Sequence, residues 1–175
     1  MLVPVRRIVT HNDAEGRSYA LKDEIATNII GTLTELWTTG PAPHDHKTID
    51  DAGAKSKTLE PAANGTVFRY FQIPPQSSTE HLSREERLKA WSDLFRNIGA
   101  SHCQPDTSRD PGMHMTSTTD YIILLSGQIT LVLDKTEHDL KPFDVVIQRG
   151  TNHAWVNRGT EEALLMAVLV DAKGV

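Results

Sequence analysis

Short stretches in which apolar and polar residues alternate, separated by turn residues about every ten positions, run through most of the chain. Residues 3–10 are a β-branched run, with Pro4 suited to an edge or a strand start. A turn cluster over 11–16 leads to a short strand over 18–22. Residues 27–37 are rich in Thr, Ile and Leu and are broken in two by Gly31. Strands follow over 65–74 and 128–133, then a hairpin turn over 134–138, and an almost wholly apolar closing strand over 163–171, expected to be buried on both faces. One segment changes period. Ser83-Arg-Glu-Glu86 fits a capping box, Leu88, Trp91, Leu94, Phe95 and Ile98 form a stripe at helical spacing, and Gly99 is a stop, so 83–98 is a helix inserted into a β chain. Residues 38–64 have no clean period and are expected to be a loop, placed to fold over a barrel mouth as a lid. Many short strands with regular turns predict an all-β sandwich or barrel.

The strand register also assigns faces. Between Gly112 and Gly127, His114, Thr116, Thr118, Asp120 and Ile122 share one face, and Met113, Met115, Ser117, Thr119 and Tyr121 the other. His153, Trp155 and Asn157 share a face further on. In 65–74, Val67, Arg69, Phe71 and Ile73 lie together. If that set faces inward, Arg69 is a carboxylate anchor; otherwise it is a surface arginine in a cross-strand ion pair, the commoner case. Trp37 is a candidate pocket wall, although the expectation is Trp37 in the core with Glu35 in water.

Two blocks carry a resemblance. Counting back from Gly127 places an acidic position on Asp120 and two further positions on Thr116 and His114. Gln148-x-Gly150-x-x-His153-x-x-x-Asn157 has the spacing of a second motif, with Pro142 ahead of it. Together they resemble the two motifs of the cupin superfamily, and more narrowly a group of small bacterial and fungal cupins. The Arg6-Arg-Ile-Val-Thr opening and Phe95-x-x-Ile98-Gly-Ala are similar to theirs too. The resemblance implies a cupin-type double-stranded β-helix (jelly-roll) barrel, one domain over 1–175, with its core motifs over 112–171. It also implies a homodimer that exchanges N-terminal strands.

The usual metal set of that superfamily is three His and one Glu. The matching positions here are His114, Thr116, Asp120 and His153, so one ligand is a threonine and the carboxylate is a methylene shorter. His114, Asp120 and His153 remain a candidate triad for one divalent ion, iron, manganese, nickel or zinc; the alternative is no metal. Without metal, a His beside an Asp is a candidate general base, the Asp fixing its tautomer and raising its basicity, and the second His a candidate acid. Thr116 and Thr118 would orient a bound oxygen, Trp155 would stack on a flat substrate, Asn157 would brace its strand, and Arg149, Arg69 and Trp37 complete the substrate-binding candidates. That set suits a lyase or isomerase acting on a carbonyl- or carboxylate-bearing metabolite. The alternatives are a non-haem dioxygenase on the same triad and a binding module without turnover.

Composition narrows the field. The chain has 175 residues, is 38% apolar and carries a net charge of −5, with no basic cluster longer than Arg6-Arg7, which argues against nucleic acid as partner. No run approaches the ~18–20 apolar residues of a membrane span, and no signal peptide is evident, so the expectation is a cytoplasmic protein with a small-molecule substrate. The single cysteine, Cys103, forbids an intrachain disulfide and, beside His102, is expected to be inert rather than a nucleophile. His44-Asp-His46 is expected to be solvated.

Overall fold

The computed structural model describes residues 2–41, 44 and 46–172. Asp45, the centre of His44-Asp-His46, lies outside the described residues, as do Met1, residues 42 and 43, and 173–175. The strands are β1 (Arg6–Asn12), β2 (Ser18–Ile25), β3 (Ile29–Ile30), β4 (Leu33–Thr39), β5 (Thr66–Ile73), β6 (Thr118–Ser126), β7 (Ile129–Leu133), β8 (Glu137–Leu140), β9 (Val145–Arg149), β10 (His153–Val156) and β11 (Ala163–Asp171). Two α-helices interrupt them, α1 (Ala52–Lys55) and α2 (Arg84–Asn97). A six-stranded sheet runs β3-β4-β5-β11-β6-β9 and a three-stranded one β10-β7-β8, all pairs antiparallel. Apolar side chains of both fill the space between them: Val67, Phe71, Ile122, Leu124, Leu165, Ala167 and Leu169 from one, Ile129, Leu131 and Trp155 from the other. This is the jelly-roll barrel that the cupin resemblance implied, and one of the two architectures, sandwich or barrel, that the strand pattern allowed.

The closing strand β11 is central, between β5 and β6. Its residues alternate buried and half-buried, so its second face is partly covered rather than fully enclosed as expected. Gly31 breaks the 27–37 run with φ +60°, which an L side chain would adopt only under strain. β1 begins later than the apolar run, at Arg6, and pairs with β2 as a separate two-stranded sheet. In the 112–127 block only 118–126 is strand; His114 makes a lone antiparallel bridge to His153. From Thr116 to Ile122 the predicted alternation holds, but Met113 turns inward against Val132, Ala154 and Val156.

Within the 38–64 segment, the part around α1 is fastened to the rest of the structure. Asp51 caps α1 and accepts a two-pronged bond from Arg7 (2.8 and 2.6 Å). Asn28 Nδ2 donates to Gly53 O and Ser56 O at 2.7 and 2.8 Å. A Cβ on Gly53 would sit 2.2 Å from Leu36 O, so only glycine lets α1 approach β4 this closely. Helix α2 starts with the predicted capping box, Ser83 Oγ accepting from Glu86 N and Glu86 Oε2 from Ser83 N. Its apolar stripe packs through Phe95 and Ile98. Among the described residues no helix is long and apolar enough to cross a membrane.

Candidate functional site

The barrel interior holds a cavity of about 90 Å³. Its titratable lining comes from four strands or their flanks: Arg69 on β5, Asp120 on β6, His153 on β10, and His114 on the stretch that bridges to it. The rest is largely apolar and aromatic, with Phe71 and Trp155 from the barrel and Trp91, Leu94, Phe95 and Ile98 from α2. The helix therefore both packs and forms a wall of the cavity. A second chamber of about 260 Å³ continues outward through the shared residues Thr32, Ile73, Trp91, Leu94 and Trp155.

The two histidines are held by the backbone. His114 and His153 exchange N–H···O bonds of 2.8 and 2.9 Å, which sets their rings side by side, centroids 4.2 Å apart. His114 Nδ1 lies 2.9 Å from Gly112 O and His153 Nδ1 lies 2.9 Å from Thr151 O. A carbonyl only accepts, so each neutral ring carries its proton on Nδ1 and keeps Nε2 as an acceptor. Burial lowers the pKa of both, and the neighbouring ring of His114 adds to the drop at His153, which falls to about 3. The expected roles change accordingly. Asp120 does not set the tautomer, basicity is lowered rather than raised, and neither ring serves as an acid near neutrality.

Asp120 shifts the other way. It is buried, its pKa is pushed up to about 6 by desolvation, and the Thr118 hydroxyl and Arg69 only partly oppose that rise. Its Oδ1 has no hydrogen-bond partner. Thr116 and Thr118 hydroxyls bond each other at 2.7 Å, so Thr116 supports Thr118, which supports Asp120; neither lines the cavity.

Arg69 faces inward, against the commoner expectation, yet it is also cross-strand paired. Glu35 stands directly opposite it in the β4–β5 ladder, and the two side chains, 1% and 2% exposed, pair at 3.0 Å. Glu35 is thus buried rather than solvated. A bulge between Glu35 and Trp37 explains it: one extra residue, Leu36, resets which side chains turn inward. Burial pushes Glu35 up and Arg69 down, each opposed by the other's charge, and Ser56 Oγ adds a 3.0 Å bond to Glu35. Trp37 stays half-buried beside Phe68 and reaches neither chamber. Arg149 is exposed on β9 opposite Thr119 and does not join the site. Asn157 braces as expected, donating to Ile73 O and Glu161 O at 2.8 and 2.7 Å, and it also lines the outer chamber.

These features can be set beside known proteins. A family model described as the cupin domain matches residues 101–169. The cupin-domain-containing oxidoreductase fogC of Aspergillus ruber is 33% identical over 179 residues, covering 98% of this chain and 74% of that protein. The chain belongs to the cupin family. Phomopsin biosynthesis cluster protein C' of Diaporthe leptostromiformis is 46% identical over 65 residues, 36% of this cupin; the match spans about a third (34%) of that relative's length. Among solved structures, a Cupin 2 conserved barrel domain protein from Salinispora arenicola is 18% identical, with 61% of this chain and 64% of that one covered and a TM-score of 0.38.

A cupin raises the question of metal. The free Nε2 atoms and the unpartnered Asp120 Oδ1 are suitable donors one by one. Two ligands of one ion, each about 2.0–2.2 Å from it, lie at most ~4.4 Å apart. Among the described residues the three-ligand group within 4.8 Å is Glu60, His102 and Cys103, and His114, Asp120 and His153 do not form such a group. The Arg69 guanidinium beside Asp120 also opposes a cation there. The expected triad does not fit a single ion as it stands. In the Glu60 group, both carboxylate oxygens are already engaged, by Ser117 N and His102 Nε2 at 2.8 Å each. The Cys103 thiol is pushed up to about 12 by burial and by Glu60, which agrees with the expectation of an inert thiol.

The helix wall and the Glu35 partner of Arg69 are the parts of the site that sequence reasoning missed. The capping box and stripe located α2 but not what it faces. The only signal for Glu35 was its adjacency to Trp37, and the intervening bulge has no reliable sequence mark.

Proposed function

We propose that this cupin is a metal-independent enzyme that moves a proton on a small carbonyl-bearing metabolite held in the inner cavity, a lyase- or isomerase-type reaction. The observation that carries the reading is Asp120: a buried carboxyl at the inner cavity, near the Thr118 hydroxyl, its Oδ1 unpartnered and its pKa raised to about 6. A carboxyl so poised is half-ionised near pH 6 and mostly ionised at neutrality, and can both accept and return a proton. In the reaction a C–H bond next to the carbonyl breaks, its electron pair passes into an enolate, and the proton goes to Asp120 Oδ1 before being redelivered. His114 and His153, neutral and locked by the backbone, hold a substrate hydroxyl at Nε2, while Trp155 and the α2 aromatics exclude water. The working unit of this reading is a homodimer, supported by the exposed Ile8, Tyr19 and Ile25 on the separate β1–β2 hairpin.

A second reading is oxidation of the substrate, favoured by the name oxidoreductase on the fogC relative. The experiment is proton exchange on acetophenone in D2O, followed by NMR at the methyl group. Wild type should exceed buffer and Asp120→Asn should lose most of that excess, on the order of 10²-fold or more. Oxygen uptake with substrate but no deuterium exchange would favour oxidation, and neither would leave a binding module.

A further inference from the structure

The guanidinium of Arg69 is only half used. Its Nη2 serves both Glu35 Oε1 (3.0 Å) and Thr58 O (2.8 Å). Its Nε and Nη1 are buried without a hydrogen-bond partner, although the residue lines the inner cavity. Buried donors are almost always satisfied, so two unpartnered ones on a side chain that lines the cavity mark where an acceptor belongs. The β5–β11–β6 register explains the space. Arg69 stands opposite Ala167, whose methyl group leaves room beside the guanidinium, and Asp120 stands one row along on the other flank of β11, opposite Leu169.

Charge decides what kind of acceptor it is. Arg69 is already balanced by Glu35. The two histidines are neutral acceptors, and Asp120 adds either no charge or one negative charge. A carboxylate ligand would be an uncompensated anion in a largely apolar cavity beside Asp120, which is costly. A neutral carbonyl oxygen satisfies Nε and Nη1 at no such cost. The opposite wall has spare acceptors at two Nε2 atoms, which call for a ligand O–H. Aromatic rings follow one another round the cavity, Trp91–Phe95 at 6.0 Å, Phe95–His114 at 5.0 Å, His153–Trp155 at 5.7 Å and Phe71–Trp155 at 6.3 Å, and suit a flat body.

We propose that the substrate class is a neutral, planar hydroxy-carbonyl compound, its carbonyl oxygen on the Nε/Nη1 edge of Arg69, its hydroxyl on the His114–His153 pair, and its apolar remainder passing Trp155 and Trp91 into the outer chamber. This names the substrate for the proton-transfer reading and rests on that reading's cavity, but it is tested by binding alone.

The test is calorimetric titration of the intact protein at pH 7 with the three hydroxyacetophenone isomers, acetophenone and the three hydroxybenzoates. At least one hydroxyacetophenone should bind tenfold or more tighter than acetophenone and than every hydroxybenzoate. Arg69→Lys keeps a cation beside Glu35 but loses the fork, and should weaken that ligand tenfold or more while leaving the thermal transition cooperative. Tightest binding by a hydroxybenzoate, equal binding of acetophenone, or no measurable binding across the wild-type panel would each overturn the assignment, whether or not the variant folds. Deuterium exchange on acetophenone without that ranking would sustain proton transfer and overturn only the substrate class.

Discussion

Asp120 and His153 shift in opposite directions, and their consequences for pH differ in sign. As the base, Asp120 must be ionised, so exchange should rise through about pH 6 and then level off, with no second inflection from His153 between pH 6 and 8. A pH–rate profile that instead falls above pH 6 would assign the working form to the protonated acid. For stability the sign runs through proton binding. Folded His153, at about 3, binds fewer protons than the unfolded residue between pH 3 and 6.5, so its contribution is present above about 6.5 and is lost as pH falls towards 3. Folded Asp120 binds more protons than the unfolded residue between about 4 and 6, so it favours the fold most below 4 and less above 6. The histidine shift is the larger, worth at most ~4–5 kcal/mol, so Tm should fall on acidification from 6.5, and His153→Gln should flatten that slope. Removing one member of the buried ion pair acts more severely: Arg69→Met should cost about 3–5 kcal/mol by leaving Glu35 buried alone. Denaturant titration of that variant, with Glu35→Gln/Arg69→Met recovering part of the loss, checks this.

At the level of elements, α2 is where local sequence and cavity meet. Ser83→Ala removes the capping box and should cost about 1 kcal/mol, read by urea unfolding. Because the same helix supplies Trp91, Leu94 and Phe95 to the inner chamber, that variant should also speed ligand release in stopped-flow experiments. The helix was legible because capping residues, an apolar stripe and a stop glycine are written within 17 positions of one another. Strand faces were legible where period two is unbroken: β6 alternates as read from Thr118 onward, and His153 and Trp155 turn inward together. Legibility ended where backbone irregularity intervened. The Glu35–Trp37 bulge turned Glu35 inward, and at the lone His114–His153 bridge Met113 is buried next to His114, which lines the cavity. The histidine tautomers were hidden for a different reason: their partners are the carbonyls of Gly112 and Thr151, and every residue has a carbonyl, so sequence marks none of them. Arg149 was misplaced because its neighbours match the second motif while its own side chain, one position after buried Gln148, must face outward.

For the whole molecule, the β1–β2 hairpin stands outside the barrel sheets with Ile8, Tyr19 and Ile25 exposed at 53%, 44% and 49%. In the homodimer reading these side chains meet the second copy. Sedimentation equilibrium should give twice the chain mass, and Ile8→Lys/Ile25→Lys should give a folded monomer; a wild-type monomer at tens of micromolar would end that reading.

The two chambers share only a narrow band of residues, and they are built from different parts of the chain. Arg69, Asp120 and His153 sit on barrel strands locked by cross-strand registers, whereas Gln76, Ser78, Thr79, Leu82 and Arg87 of the outer chamber come from a turn and the start of α2. Changes in that outer stretch can reshape which molecules enter without disturbing Asp120 or the histidine pair. In the proton-transfer reading, descendants of this fold can therefore diversify in substrate while inheriting one reaction unchanged, as a lock can be rekeyed without touching the bolt.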